Sequence, residues 1–216
     1  MLAWKGRQLK GSDEMLQILL PNSDMILQQC INQTFEYLEA HPQDFPKKKP
    51  LTKQIVAGDI GSWFEKPMGL SKRTTVPDEL VSDVLELIGG VEPERRSQVQ
   101  EQYNLQKQIE MMIGDFLEMY LLKHSFAYGW IQTGNCVRGT DMIRKNDDGG
   151  WWKLQIKNSD NTPNSSSAGF IADKAQTWKR RNSTKGGQYW NEFPDPQVRQ
   201  HLSEKNFLDF IKSYFA

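Results

Sequence analysis

Val137-Arg138-Gly139-Thr140-Asp141-Met142-Ile143-Arg144-Lys145-Asn146-Asp147-Asp148-Gly149-Gly150-Trp151-Trp152-Lys153-Leu154-Gln155-Ile156-Lys157 reads as two strands and the turn that joins them. Asn146 to Gly150 is the turn: Asn and Asp tolerate left-handed backbone and Gly adopts it freely. Val137–Lys145 and Trp151–Lys157 are the expected strands. Successive side chains of a strand point to opposite faces. Trp152, Leu154 and Ile156 therefore make an apolar face suited to a core, and Trp151, Lys153, Gln155 and Lys157 make an amphipathic one. Closing the ribbon sets Asp141 roughly across from Ile156 and Lys157, where its carboxylate meets the side chains of Gln155 and Lys157. An acid, an amide oxygen and an ammonium then converge on one spot.

Upstream of this hairpin the apolar period is helical. Ser12 can cap a short helix that stops before Pro21, and Ser23 opens a longer one that ends at Pro42. Pro77 suits the first turn of another, stopped by Gly89-Gly90. A long helix is expected from Ser97 to His124, with Leu105, Ile109, Met112, Ile113, Phe116, Leu117, Tyr120 and Leu121 as its stripe. Within it Gly114 would let the helix approach the sheet. A last amphipathic helix runs from Ser203 to the end, burying Phe207, Leu208, Phe210, Ile211, Tyr214 and Phe215. The expected fold is α/β, a mixed sheet flanked by helices, with a helical N-terminal region at 1–95 and a catalytic core at 96–216.

Composition excludes several classes. Of 216 residues, 38% are hydrophobic and 25% charged, which is globular rather than disordered. No apolar run is long enough to cross a bilayer, and Met1–Lys10 lacks a signal peptide's apolar stretch. Cys30 and Cys136 are far apart and without a neighbouring Cys or His, which fits reduced thiols better than a zinc site. Net charge is zero, yet Val137–Lys185 carries ten basic against five acidic residues. A solvated surface accounts for such a count, but here the excess coincides with the Asp-Gln-Lys group, and phosphates need local positive potential.

That group suits phosphodiester hydrolysis. A carboxylate and an amide oxygen are hard ligands for Mg²⁺, and an ammonium can neutralise charge that develops on the phosphorus. A second carboxylate is wanted, and the long helix offers Glu118, with Glu110 as the fallback. Taken singly, Asp141 and Lys157 could be solvated strand residues and Glu118 a surface glutamate; only their joint order gives them weight.

Helix Gly-x-x-x-Glu, strand Asp, then Gln-x-Lys on the next strand resembles the PD-(D/E)xK nucleases, with Gln155 where the second acid would stand and Thr140 where the proline would. Leu154-Gln155-Ile156-Lys157-Asn158-Ser159-Asp160-Asn161-Thr162-Pro163-Asn164-Ser165-Ser166-Ser167 is similar to the segment after the catalytic lysine of SinI-type type II restriction endonucleases. Ile113-Gly114…Glu118, Gly129-Trp130 and Trp178-Lys179-Arg180 agree with it, so the resemblance covers about Gln108 to Trp190. It implies a bacterial, cytoplasmic, Mg²⁺-dependent homodimer that cuts both strands of double-stranded DNA at a short palindrome, of GGWCC type in the best-known members. The N-terminal region would supply dimer or DNA contacts. Asn158, Ser159, Asn161, Asn164 and Ser165 are candidates to reach phosphates or base edges. Lys174, Lys179, Arg180, Arg181 and Lys185 are the densest basic cluster, with Arg180 or Arg181 a candidate for bidentate contact to guanine. A structure-selective or repair nuclease, and a DNA-binding protein whose site has degenerated at Gln155, are the rival readings.

Overall fold

A computed structural model describes residues 22–65, 92–159 and 175–215. The expected helices after Ser12 and Pro77, and the side chains of Asn161, Asn164, Ser165 and Lys174, lie outside the described residues. The backbone forms two compact units, one from Met1–Pro67 with Phe116–Ala216 and one from Met68–Asp115.

In the larger unit, helix α1 (Ser23–Ala40) buries Ile26, Cys30, Ile31, Thr34, Tyr37 and Leu38, a stripe at helical spacing. It stops where Pro42 removes the N–H that another turn would need. Helix α2 (Lys53–Phe64) starts at Thr52, whose hydroxyl accepts the Ile55 N–H at 3.3 Å. Helix α3 (Arg96–Ser125) begins in the smaller unit, where Leu105 and Ile109 are exposed, and its last turns belong to the larger one. There Phe116, Leu117, Tyr120 and Leu121 are fully buried.

Four strands follow: β1 (Trp130–Gln132), β2 (Met142–Lys145), β3 (Trp151–Ser159) and β4 (Gln176–Arg181). They form one mixed sheet in the order β1-β2-β3-β4, antiparallel at the first two junctions and parallel at the third. The turn between β2 and β3 is the expected one. Asn146 N–H donates to the Gly150 carbonyl at 2.8 Å, Asp148 Oδ1 accepts the Gly150 N–H at 2.8 Å, and Gly149 takes φ +86.

Several expectations need correction. The first strand of the hairpin starts at Met142 rather than Val137, because residues 133–141 close on themselves through Cys136 N–H to Thr133 O and Thr140 N–H to Val137 O. Gly114 makes no close approach, since a Cβ there would meet nothing within 4 Å. The tight approach is at Gly134 (φ +57), where a Cβ would lie 3.4 Å from the Asp59 carbonyl of α2. Trp152 is 40% exposed, lying beside Arg144 with its ring 6.0 Å from that of Trp130. Strand β4 stands where the sequence shows only a basic cluster.

After β4 come helix α4 (Pro196–Arg199), capped by the buried Asp195, and helix α5 (Glu204–Phe215). Phe207, Phe210 and Tyr214 of α5 pack against Phe116 and Tyr120 of α3, whereas Leu208 is 50% exposed. Trp178 of β4 joins this core through Trp190 and Phe193. Each such buried aromatic side chain contributes about 1.5–3 kcal/mol by burial alone. These contacts cover the part of one sheet face that carries Leu154, Ile156 and Trp178, while Trp152 on the same face stays exposed. Among the described residues no helix is long and apolar enough to cross a membrane.

Candidate active site

Asp141 sits one residue before β2, where the irregular 133–141 segment meets the sheet. Its N–H donates to the Leu154 carbonyl at 2.9 Å, and its Oδ2 accepts the Ile156 N–H at 2.6 Å. The carboxylate therefore occupies a backbone hydrogen-bonding position of β3, between Gln155 and Lys157. The Met142–Leu154 pairing, continued by one residue, sets Asp141 beside Gln155 rather than across from Ile156 and Lys157. Although the residue is half-buried, its carboxyl lies deep. Burial raises its pKa above the usual carboxylate range, offset in part by the Ile156 N–H and the Lys157 ammonium.

Gln155 and Lys157 alternate with buried Leu154 and Ile156, so they share the face opposite the aromatic core. Gln155 pairs with Thr177 of β4, whose hydroxyl donates to Gln155 Oε1 at 3.4 Å. Lys157 pairs with Lys179, and Ser159 with Arg181.

Glu118, on the buried end of α3, accepts two N–H groups on Oε2: Trp63 Nε1 at 3.0 Å and Gln132 Nε2 at 2.7 Å. Gln132 leads on to Asp141. Its Oε1 accepts the Thr133 N–H at 2.9 Å, and the same N–H reaches the Asp141 carbonyl at 3.0 Å. Glu110, the fallback, is exposed and accepts from Gln106 Nε2 on its own helix.

The donor chemistry fits a magnesium ion better than a softer or more demanding metal. Among the described residues no three His, Cys, Asp or Glu side chains gather as a metal cage. Magnesium asks for less: one or two carboxylates, with waters and substrate phosphate completing its shell. Asp141 and Glu118 are carboxylates of this kind, and Gln155 adds a neutral oxygen.

Comparison with known proteins assigns the chain to a family. The model of the SinI restriction endonuclease family matches residues 56–216. The chain belongs to that family. It is 37% identical to the type II restriction enzyme SinI of Salmonella infantis over 219 aligned positions, covering 95% of each chain. It is 38% identical to the type II restriction enzyme Eco47I of Escherichia coli over 147 residues, 66% of this chain and 64% of that protein. The similarity thus reaches well upstream of Gln108, and the family match takes in Trp63, Glu118, Gln132, Asp141, Gln155 and Lys157.

The SinI-family chain presents only part of its basic cluster to solvent. Thr177, Lys179 and Arg181 are exposed on the face that carries Gln155 and Lys157. Arg180 points the other way and is 6% exposed. Its Nε donates to Asn158 Oδ1 at 2.8 Å and its NH1 pairs with Glu204. Strand alternation thus turns Arg180 and Asn158 towards the core side of the sheet, where they bond to each other. Both cysteines are free and buried, and burial pushes each thiol up to about 12. They are packing residues.

Trp63, Gln132, Thr133 and Thr177 carry no motif that marks them in the sequence. Trp63 has the pattern of a core aromatic, and no spacing links it to Glu118. Gln132 gives one faint signal, a polar residue ending the apolar run Trp130-Ile131.

Proposed function

We propose that this chain is a type II restriction endonuclease that cuts both strands of double-stranded DNA at a specific sequence, with Asp141, Gln155, Lys157 and Glu118 as its active site. The observation that carries the reading is the meeting of the Asp141 carboxylate with the Ile156 N–H, between Gln155 and Lys157. The order helix, three antiparallel strands and a fourth strand parallel to the third supports a PD-(D/E)xK core. The family match and the names of its relatives support the substrate and the reaction.

Asp141, Gln155 and Glu118 would hold Mg²⁺, which when bound neutralises charge on the scissile phosphate and makes a water more acidic. Lys157, beside Asp141, stabilises the negative charge that grows on the phosphoryl oxygens and orients the attacking water. Gln155 supplies an oxygen without a charge, so the site carries one negative charge fewer than the superfamily's two-acid form. Lys179 and Arg181 continue the same face and grip the sugar-phosphate backbone, fixing the duplex without reading its sequence. A palindromic GGWCC-like target read by a two-fold dimer is the finer form of the proposal, with residues 1–95 contributing to that interface.

Digestion of a plasmid in Mg²⁺, with sequencing of the fragment ends, tests all of this. Discrete fragments with one shared end sequence are expected, and EDTA should abolish them. Nicking, or cutting confined to branched DNA, would replace the restriction reading with a structure-selective one. Tight sequence-specific binding without cleavage in Mg²⁺, Mn²⁺ or Co²⁺ would mark a degenerate site.

A further inference from the structure

We infer that Gln132 is a positioning residue for the metal site, acting through Glu118 with Trp63 as its assistant. The inference rests on the active site proposed above and extends it to residues outside the acid-acid-lysine pattern.

A glutamate on a helix has three rotatable side-chain bonds, and a metal ligand must be held to about half an ångström. Glu118 is held from two directions, by Trp63 of α2 and by Gln132 of β1, with both N–H groups on one oxygen. Gln132 is itself fixed. It is 1% exposed, and its backbone pairs with Met142. Its amide can face only one way: a carboxylate accepts and never donates, so the NH₂ end must face Glu118. The oxygen end must then face an N–H, and Thr133 provides it at 2.9 Å.

Thr133 completes the link. Its N–H and its hydroxyl reach the Asp141 carbonyl at 3.0 and 3.2 Å, and the hydroxyl donates to Thr140 O at 2.7 Å. One buried amide thus connects the residue that carries one acid to the backbone that carries the other. The spacing of Glu118 and Asp141 depends on it. Partners of this kind, which orient ligands without touching the metal, are worth about 10–100-fold in metal affinity or activity.

The test measures Mn²⁺ binding to the full-length protein by electron paramagnetic resonance, alongside the Mg²⁺ concentration for half-maximal plasmid cleavage. Gln132→Leu fills most of the same space but removes both hydrogen bonds. Mn²⁺ affinity should fall about 10-fold or more, the Mg²⁺ midpoint should rise by a similar factor, and saturating Mg²⁺ should restore most of the rate. Trp63→Phe keeps an aromatic side chain but deletes the N–H with the pyrrole ring that carries it, and should move both readouts in the same direction by about 3-fold. A residue that served packing alone would lower the melting temperature and leave the Mn²⁺ affinity of the folded protein where it was. Unchanged affinity in both variants overturns the inference. Should Gln132→Leu fail to fold, Gln132→Met, which keeps the side-chain length and removes the same two hydrogen bonds, decides by the same readouts.

Asp141→Ala separates this inference from the reading beneath it. Cleavage and Mn²⁺ affinity that survive Asp141→Ala remove the proposed site itself. Their loss in Asp141→Ala, with wild-type Mn²⁺ affinity in the Gln132 and Trp63 variants, removes only the role given to Gln132.

Discussion

Strand β3 carries two lysines on one face, one paired with an aspartate from another segment and one only near such an aspartate, and the two have different fates. Lys153 lies at the covered end. Its ammonium is 3.4 Å from Asp44, both side chains are buried, and Tyr37 donates its hydroxyl to the same carboxylate oxygen. Lys157 lies further along the strand, half-buried, beside an Asp141 carboxylate held by a backbone N–H. The residue types are the same. The cover decides: α1 and the turn after it, Pro42–Asp44, close over Lys153, whereas Lys157 continues into the exposed side chains of Thr177, Lys179 and Arg181. A sealed ion pair is a structural tie, whereas an ammonium left open at the exposed end of the strand can take a phosphate.

The comparison breaks if the open pair proves dispensable for cleavage. Asp141→Ala and Lys157→Ala should each lower the cleavage rate on the order of 10³-fold, while the folded proteins still bind the specific duplex in Ca²⁺. Lys153→Met should cut at the wild-type rate per folded molecule. Equal loss from all three, measured by single-turnover cleavage, would erase the distinction.

Stability should show the opposite ranking. Lys153→Met strands the Asp44 carboxylate in a buried place and should cost about 3–5 kcal/mol in urea unfolding. Lys157→Met, at the open end, should cost about 1 kcal/mol or less.

A sharper form removes both members of the sealed pair. Asp44→Asn with Lys153→Met should recover most of the loss, because an uncompensated buried charge is worse than none. A double variant as unstable as Lys153→Met would mean that the pair contributes through geometry rather than charge.

The smallest effect concerns pH. Burial raises the Asp141 pKa in the folded chain above its unfolded value, so its ionisation works against folding. The stability tied to the protonated carboxyl is complete below the unfolded pKa and disappears as pH rises through the folded one. Asp141→Asn should therefore raise the metal-free melting temperature at neutral pH. The gain should shrink to nothing in acid, below about pH 4. A variant that melts lower than wild type at neutral pH would show that the Lys157 attraction outweighs burial.

Much of the fold and the site is legible in the amino-acid order, and the reasons are local. The Asn-Asp-Asp-Gly-Gly turn forces a hairpin whatever lies around it, since Gly149 adopts a φ that other residues resist. Alternation along β3 then puts Gln155 and Lys157 on one side, and the hairpin brings Asp141 to them. The stripe of α3 is legible as a helical period, but not where its burial begins, since Leu105 and Ile109 of the same stripe are exposed. The turn pairs Lys145 with Trp151, and counting back along both strands sets Asp141 beside Gln155, one residue short of the expected position; the curl of the segment before β2, held by hydrogen bonds from Thr133, is what no pattern announces.

What the amino-acid order determined by itself was everything that depends on near neighbours: the turn, the alternation, the helical stripes, and the joint motif of acid, amide and lysine. Only the tertiary structure could decide what depends on residues far apart in the chain. It bound Arg180 to Glu204 and Asn158, closed Asp44 over Lys153, and brought Trp63 and Gln132 to Glu118. Periodicity reports which side of an element a residue takes. It holds no record of which distant element covers that side, and that covering separates a buried tie from a candidate site.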